Sequence, residues 1–231
     1  MNVLELFAGS RSIGKAVEKR GHKAFSVDIN DFDDIDYVTD ILEFDVEKVP
    51  FIPDMIWASP PCTYFSVASI GVHWNKDHTP KSENALLGVK LVEKTLEIIA
   101  YFQEKNPNMI WYMENPRGKL RKLPVVRGEF DRATVWYCKY MDSRAKPTDI
   151  WTNNLYSIFN DKGWIPRPLC FNGNKSCHHE VAPRGSKTGT QGLKDNYERS
   201  KLPEELCLEI ITATENKLNL NPCLDEKEQK K

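Results

Sequence analysis

Residues 1–28 read MNVLELFAGSRSIGKAVEKRGHKAFSVD, two apolar runs separated by a glycine turn and an amphipathic stretch. The run over residues 3–7 predicts a strand that ends at the turn. Apolar side chains over residues 13–17 recur at helical spacing until a glycine ends the helix. Residues 23–28 predict a second strand. Strand, helix and strand in this order are typical of a parallel β-α-β unit.

The same alternation continues along the first half of the chain. Residues 37–38, 54–58 and 109–113 predict further short strands, and residues 85–104 predict a long helix. One face of this helix is predicted to be buried through Leu86, Val89, Val92, Leu96 and Ile99. The fold class predicted is α/β, a doubly wound parallel sheet that binds ligands at the carboxyl ends of its strands.

Composition limits the class of protein. The chain has 231 residues, 40% of them hydrophobic and 28% charged, which is typical of one globular domain or a domain with an insertion. No stretch approaches the ~18 apolar residues of a membrane span, and the N-terminus has no basic and apolar leader pattern. We therefore expect a soluble, intracellular protein whose six cysteines are reduced.

The net charge of −1 conceals an uneven distribution. Residues 1–115 contain 11 Lys and Arg against 18 Asp and Glu, whereas residues 116–201 contain 17 against 8. An acidic first half and a basic second half are expected if one part binds a small molecule and the other binds a polyanion. Chance clustering of solvated lysines is the alternative.

Candidate binding or catalytic residues lie at the ends of several predicted strands. Gly9 allows close approach to a helix N-terminus, and Asp28 ends the next strand at the spacing of a ribose-binding carboxylate, although such a glycine is often only structural. In Ser59-Pro60-Pro61-Cys62 the prolines fix the backbone before Cys62, a candidate nucleophile or a small buried hydrophobe. Glu114 follows another strand, where desolvation suits a carboxyl for acid catalysis.

LELFAGSRSIG, SVDIN, SPPCTYFS and MENP, in this order, resemble successive motifs of the cytosine-5 DNA methyltransferases. The compact chain resembles the bacteriophage and prophage members, which implies a monomeric, cytoplasmic protein of a bacterium or a phage-infected cell. The resemblance implies a Rossmann-like S-adenosylmethionine-dependent fold that binds double-stranded DNA and flips the target cytosine out of the stack. It implies that the cofactor contacts Phe7, Ala8, Gly9, Ser10, Asp28, Ile29, Asp40, Ile41 and Pro60.

The resemblance also assigns the chemistry. Cys62 corresponds to the nucleophile that adds to ring carbon 6, and Glu114 corresponds to the acid at ring nitrogen 3. The family's base-facing Gln-x-Arg-x-Arg motif is reduced here to Arg144-Ala145-Lys146, so the usual guanidinium is missing and either Arg144 or Lys146 substitutes for it. Arg144 is assigned the catalytic role. Two further departures are Pro116 in place of valine and Asp28 in place of glutamate.

We divide the chain into a catalytic domain, residues 1–155 and 202–218, a small basic recognition region, residues 156–201, and a charged, disordered tail, residues 219–231. The closing helix over residues 202–215 is expected to pack beside the cofactor half. The residues assigned to nucleic-acid binding are Ser66, Lys146, Arg184 and Lys187, joined for phosphate contact by Arg199 and Lys201. Residues 66–84 correspond to a mobile loop in which Trp74 either contacts the duplex or is ordinarily packed.

The recognition region also contains residue types that zinc accepts, at Cys170, Cys177, His178 and His179. The six residues between the two cysteines are not the spacing of standard zinc modules, so we predict a glycine-rich loop with reduced cysteines and no metal. A structural zinc on Cys170, Cys177 and His178 is the alternative.

Three other functions compete. An exocyclic-amine methyltransferase is disfavoured, because Cys62 occupies the place of the aromatic residue that would stack on the base. A tRNA cytosine-5 methyltransferase would carry the same motifs. A non-catalytic nucleic-acid-binding protein with the same fold would not need Cys62 and Glu114 together.

Overall fold

The structure, a computed structural model, describes residues 1–67, 70–180 and 196–220. Its strands are β1 Asn2–Leu6, β2 Lys23–Asp28, β3 Tyr37–Val38, β4 Met55–Ala58, β5 Ile110–Pro116, β6 Arg132–Trp136 and β7 Pro147–Thr152. Its helices are α1 Ser12–Lys19, α2 Ile70–His73, α3 Glu83–Lys105, α4 Asn196–Ser200 and α5 Glu204–Leu218.

The strands form one sheet in the order β3-β2-β1-β4-β5-β7-β6. β1 lies between β2 and β4, and the pairs from β3 to β5 are all parallel. The prediction of a parallel sheet is confirmed for the five predicted strands, whereas β6 and β7 were not predicted, and β7 is antiparallel to both β5 and β6. Residues 137–146, which connect β6 to β7, are too few for the crossover that a parallel pair needs, so the two strands form an antiparallel hairpin.

The sheet is buried on both faces because side chains alternate along each strand. Leu4, Ile56 and Trp111 point to the face covered by α3, where they join one hydrophobic cluster. Val3 and Met55, their neighbours in sequence, point to the face covered by α1 and α5. The carboxyl ends of β1, β4 and β5 are left at one edge, above both cores.

The long helix α3 differs from the sequence prediction in which face it buries. Leu86 is 49% exposed, although its spacing predicted burial. Gly88 is buried, and a Cβ at this position would lie 2.9 Å from the ring of Tyr64. The loop after β4 therefore packs on the side of α3 that carries Gly88, and Leu86 lies on the exposed side. Val92 and Ile99 are buried as predicted.

The closing helix α5 packs as predicted, beside α1 in the N-terminal half of the chain. Leu206, Ile210 and Ile211 are fully buried in the cluster shared with α1. Ion pairs of Lys19 with Glu204, at 2.6 Å, and of Arg20 with Glu215 connect the two helices.

The division into a catalytic domain and a recognition region stays a prediction. At the start of the predicted recognition region, Trp164 is buried against Tyr112 of β5, and Arg167 forms ion pairs with Glu205 and Glu209 of α5. This part of the region therefore packs as part of the catalytic core. Across the described ranges, none of the helices has the length and apolarity needed to cross a bilayer.

Candidate active site

The cysteine loop, residues 59–66, begins where β4 ends and is bonded to both neighbouring strands. The Ser59 amide donates to the last carbonyl of β1 at 3.2 Å, and the Asn115 side-chain amide of β5 donates to the Pro60 carbonyl at 2.8 Å. Cys62 then begins a single 3₁₀ turn, and two backbone amides donate to its carbonyl, both at 3.0 Å. The partly buried thiol is thus held by backbone bonds above the strand ends.

Trp74 packs against the cysteine loop. It is buried, its ring stacks on Phe65 with centroids 6.0 Å apart, and its indole N–H donates to the Tyr64 carbonyl at 2.7 Å. On the other side of the loop, a Cβ at Gly118 would lie only 2.3 Å from the Phe65 carbonyl oxygen, so this position has no room for a side chain. The alternative of an ordinarily packed tryptophan is confirmed.

Glu114 is buried on β5, the strand next to β4. The Tyr137 hydroxyl donates to Glu114 Oε1 at 3.1 Å. Burial raises the pKa of the Glu114 carboxyl, against the opposing effects of the Lys146 charge and the Tyr137 hydrogen bond. A carboxyl with a raised pKa keeps a larger protonated fraction near neutral pH, which suits a hydrogen-bond donor to a ring nitrogen.

Cys62 shares this environment. Burial raises the pKa of its thiol, and the Glu114 charge raises it further, whereas the positive charge of Lys146 lowers it. Lys146 Nζ lies 3.9 Å from Glu114 Oε1 and 4.8 Å from the centre of the Tyr137 ring. Arg199 of α4 also lowers the pKa of the thiol. The Cys62 thiol, the Glu114 carboxyl and the charges of Lys146 and Arg199 therefore lie close enough to influence one another above the ends of β4 and β5.

Arg144 lies near the candidate acid, since its charge lowers the pKa of Glu114 and its guanidinium lies 5.3 Å from the centre of the Tyr137 ring, but its hydrogen-bond donors have other partners. Its guanidinium pairs with Asp142 and donates to the carbonyls of Arg199, at 3.1 Å, and Lys201, at 2.9 Å. All of its donor nitrogens have such partners, and the side chain is buried. The structure therefore favours Lys146 over Arg144 as the cation at the acid, with Arg144 connecting the β6–β7 hairpin to α4.

The turn after β1 has the backbone expected of a cofactor site. Phe7, Gly9 and Arg11 all have positive φ, of 57°, 48° and 55°. The Gly9 amide donates to Asp28 Oδ2 at 2.9 Å, which brings the ends of β1 and β2 together. Among the described residues, a Cβ at Gly9 would meet only Ser200 Oγ, at 3.9 Å, so within this part of the chain the space over the turn is open and borders α4.

The remaining residues assigned to the cofactor surround this turn. Ile29 is 61% exposed beside Asp28, as an apolar platform for a planar ring requires. Asp40 caps the 3₁₀ turn Ile41–Glu43, and Ile41 is buried in the core instead of facing the open space. Ala8, Ser10 and Pro60 are buried at the strand ends.

The residues assigned to nucleic-acid binding are only partly placed. Ser66 is partly buried at the end of the cysteine loop, while Arg184 and Lys187 lie outside the described residues. Of the four residues weighed as zinc ligands, His178 is directed away, with Nε2 3.1 Å from the Asp142 carbonyl. The other three, Cys170, Cys177 and His179, lie together and are joined by Cys138, which the sequence analysis did not consider.

Sequence reasoning missed Tyr137, Cys138 and the catalytic-site placement of Arg199. Tyr137 and Cys138 lie in the segment TVWYCKYMDSRAKPTDIWTN, which aligns with the family and so carried a signal for their neighbourhood. Their partners are distant in sequence, 23 residues away for Tyr137 and Glu114, so no local spacing could have revealed the contacts.

The sheet order, with its reversed seventh strand, defines a Rossmann-like methyltransferase fold. The solved structure of the Entamoeba histolytica methyltransferase EhMeth matches it with a TM-score of 0.55 at 11% identity, over 96% of this chain and 99% of that chain. The S. pombe Dnmt2 methyltransferase matches with a TM-score of 0.43 at 15% identity, over 74% of this chain and 57% of that chain.

Sequence comparison identifies the family. A protein of Frog virus 3 (isolate Goorha), named a probable DNA (cytosine-5)-methyltransferase, is 33% identical over 231 residues, which covers 91% of this chain and 99% of that protein. The chain belongs to the cytosine-5 methyltransferase family. No protein-family profile matches the sequence.

Proposed function

We propose that this protein transfers a methyl group from S-adenosylmethionine to carbon 5 of cytosine in double-stranded DNA, through a covalent Cys62 adduct on a flipped-out base. The observation that carries the proposal is the convergence of Cys62, Glu114 and Lys146 above adjacent strand ends, beside the open turn after β1. The name of the viral relative supports DNA as the substrate.

The residues around the turn fit the cofactor. The open space above Gly9 admits a ligand close to the backbone, and the exposed Ile29 offers an apolar contact for an adenine ring. The Asp28 carboxylate lies at the end of β2, within reach of ribose hydroxyls, and Asp40 lies beyond it. When bound, S-adenosylmethionine supplies the electrophilic methyl group.

The chain's own groups activate the base. The Cys62 thiolate bonds to ring carbon 6, and the ring electrons move to carbon 5 while protonated Glu114 donates a hydrogen bond to ring nitrogen 3. This makes carbon 5 nucleophilic. After methylation, loss of the carbon 5 proton returns the electrons to the ring, and Cys62 leaves as the thiolate. The base must be flipped out, because carbon 6 is inaccessible within a stack.

Lys146 has two roles in this scheme. Its charge favours the thiolate form of Cys62, and it stabilises the negative charge that develops on the ring during attack. Arg144 acts as a positioning residue, because it donates to Asp142, to the Arg199 carbonyl of α4 and to the Lys201 carbonyl that follows α4.

The test is incubation with labelled cofactor and with either DNA or tRNA, followed by mass spectrometry of nucleosides. We expect 5-methylcytosine in DNA, no turnover by Cys62→Ala, and a stable adduct with 5-fluorocytosine DNA, because its fluorine cannot leave as a cation. Cys207→Ala, which changes a buried cysteine of α5, is the matched control and should stay active.

The outcomes separate the parts of the proposal. Methylation of tRNA alone would overturn the DNA substrate and leave the chemistry in place. Full activity of Cys62→Ala would overturn the covalent mechanism. DNA binding without methylation by the wild-type protein would support a non-catalytic binding function instead.

A further inference from the structure

A second cluster of chemically active side chains lies outside the candidate active site, between the β6–β7 hairpin and the loop of residues 170–180. Cys138 belongs to the 3₁₀ turn after β6, and Cys170, Cys177 and His179 come from the loop. Their four ligand atoms lie within 4.8 Å of one another. We call these four residues the thiol-imidazole cluster.

The cluster is enclosed by protein. Cys138, Cys170 and His179 are only 2%, 6% and 5% exposed, and Cys177 is partly buried. Trp136 and Ala145 pack around the cysteines. Three thiols and an imidazole are thereby brought together by segments more than 30 residues apart in sequence.

Hydrogen bonding within the protein does not account for this arrangement. His179 Nε2 is buried and has no hydrogen-bond partner among the described residues, and the ring's other nitrogen, Nδ1, lies 3.8 Å from Cys170 Sγ. The nitrogen that faces the thiols is therefore Nδ1, and three sulfur atoms and this nitrogen lie around one point with no stronger hydrogen-bonding group among them, which indicates a ligand that the thiols and the ring share.

The donor set selects the ligand. Three cysteines and one histidine form a closed set of four, which is typical of structural zinc and leaves no position for substrate. Tetrahedral zinc with bonds of ~2.3 Å holds its ligand atoms ~3.8 Å apart. The Cys170–His179 separation of 3.8 Å already matches this value, and the widest separation, 4.8 Å, needs only a contraction of side chains.

A disulfide is the alternative to a metal at these thiols. A disulfide would use two of the three cysteines and would leave both the third and His179 without a partner.

We propose that Cys138, Cys170, Cys177 and His179 bind one zinc ion, which connects the loop of residues 170–180 to the catalytic core. The connection lies beside the hairpin that carries Arg144 and Lys146, since the Glu180 amide donates to the Ser143 carbonyl at 3.0 Å. The ion thus takes the place of a larger hydrophobic core in a recognition region of this size.

The first experiment measures zinc in the purified full chain by plasma mass spectrometry and counts reactive thiols under denaturing conditions. We expect about one zinc per chain and no disulfide. Replacement of the zinc by cobalt should produce the thiolate-to-metal charge-transfer band and the d–d absorption of a tetrahedral, sulfur-rich site. Zinc-free protein, a different resident metal, or a disulfide between two of these cysteines would each overturn the proposal.

Adjacent histidines supply the matched variants. His179→Ala should lose most of the zinc, while His178→Ala, whose ring bonds to the Asp142 carbonyl outside the cluster, should keep it. Cys170→Ser should lose zinc, and Cys207→Ser should keep it. Equal zinc in the two histidine variants contradicts the ligand set. If His179→Ala does not fold, the wild-type stoichiometry and the cobalt spectrum still decide the matter, independently of methyl transfer.

Discussion

The thiol of Cys62 lies between opposing influences, because burial and Glu114 raise its pKa whereas Lys146 lowers it. We predict that Lys146→Gln raises the pKa of the thiol. At a fixed pH below that pKa, the thiolate fraction then falls, and alkylation of Cys62 by iodoacetamide should slow about tenfold for each unit of pKa change. Peptide mass spectrometry across a pH series measures the rate at this cysteine.

Lys146→Arg is the control for charge, since it retains the cation and should leave the alkylation curve close to that of the wild type. The curve of Lys146→Gln should move to higher pH. Superimposable curves for the two variants would show that the charge of Lys146 does not act on the thiol.

At the scale of elements, α4 is held to the β6–β7 hairpin by Arg144, which donates to the carbonyls of Arg199 and Lys201. We predict that Arg144→Ala loosens α4, speeds amide hydrogen exchange over residues 196–201 and lowers kcat by displacing Arg199 from Cys62. Loss of hydrogen bonds to a buried charged group should also lower the free energy of unfolding by about 2–3 kcal/mol.

Arg132, which is exposed on β6, offers the comparison. Arg132→Ala should change neither the exchange of α4 nor the free energy of unfolding beyond about 0.5 kcal/mol. If Arg144→Ala retained wild-type exchange over residues 196–201 and lost only kcat, Arg144 would be acting on the base directly, as the sequence motif predicts.

Over the whole molecule, the excess of basic residues in residues 116–201 does not all reach solvent. Arg121 pairs with Asp149, Arg144 pairs with Asp142, and Arg167 pairs with two glutamates of α5. These three arginines contribute to the fold, so phosphate contacts must come from the other basic side chains of the segment. Arg184 and Lys187 remain predicted contacts.

We predict that Arg184→Ala and Lys187→Ala each weaken DNA binding similarly for all sequences and reduce the slope of log affinity against log salt by about one. Cofactor affinity should not change. Lys90→Ala, on the exposed side of α3, should keep the wild-type slope. Fluorescence anisotropy at several salt concentrations gives these slopes. Unchanged slopes for both Arg184→Ala and Lys187→Ala would contradict the predicted phosphate contacts.

Much of the fold was readable from local sequence. β2 and β3 have the predicted bounds, and β1, β4, β5, α3 and α5 agree within a few residues, because apolar periodicity and turn residues act over short stretches of chain. The placement of Cys62 and Glu114 at neighbouring strand ends followed from the same patterns, since parallel strands place their carboxyl ends on one edge.

Other features depended on contacts between distant residues. The reversal of β7, the burial of Gly88 in place of Leu86, and the selection of Lys146 instead of Arg144 beside Glu114 are outcomes of packing. The same holds for Cys138 and His179, which complete a cluster that local spacing does not reveal. Local patterns determine which segments become strands and helices, but only the packed chain determines which side chains meet, because a partner 20 or more residues away leaves no periodic signal.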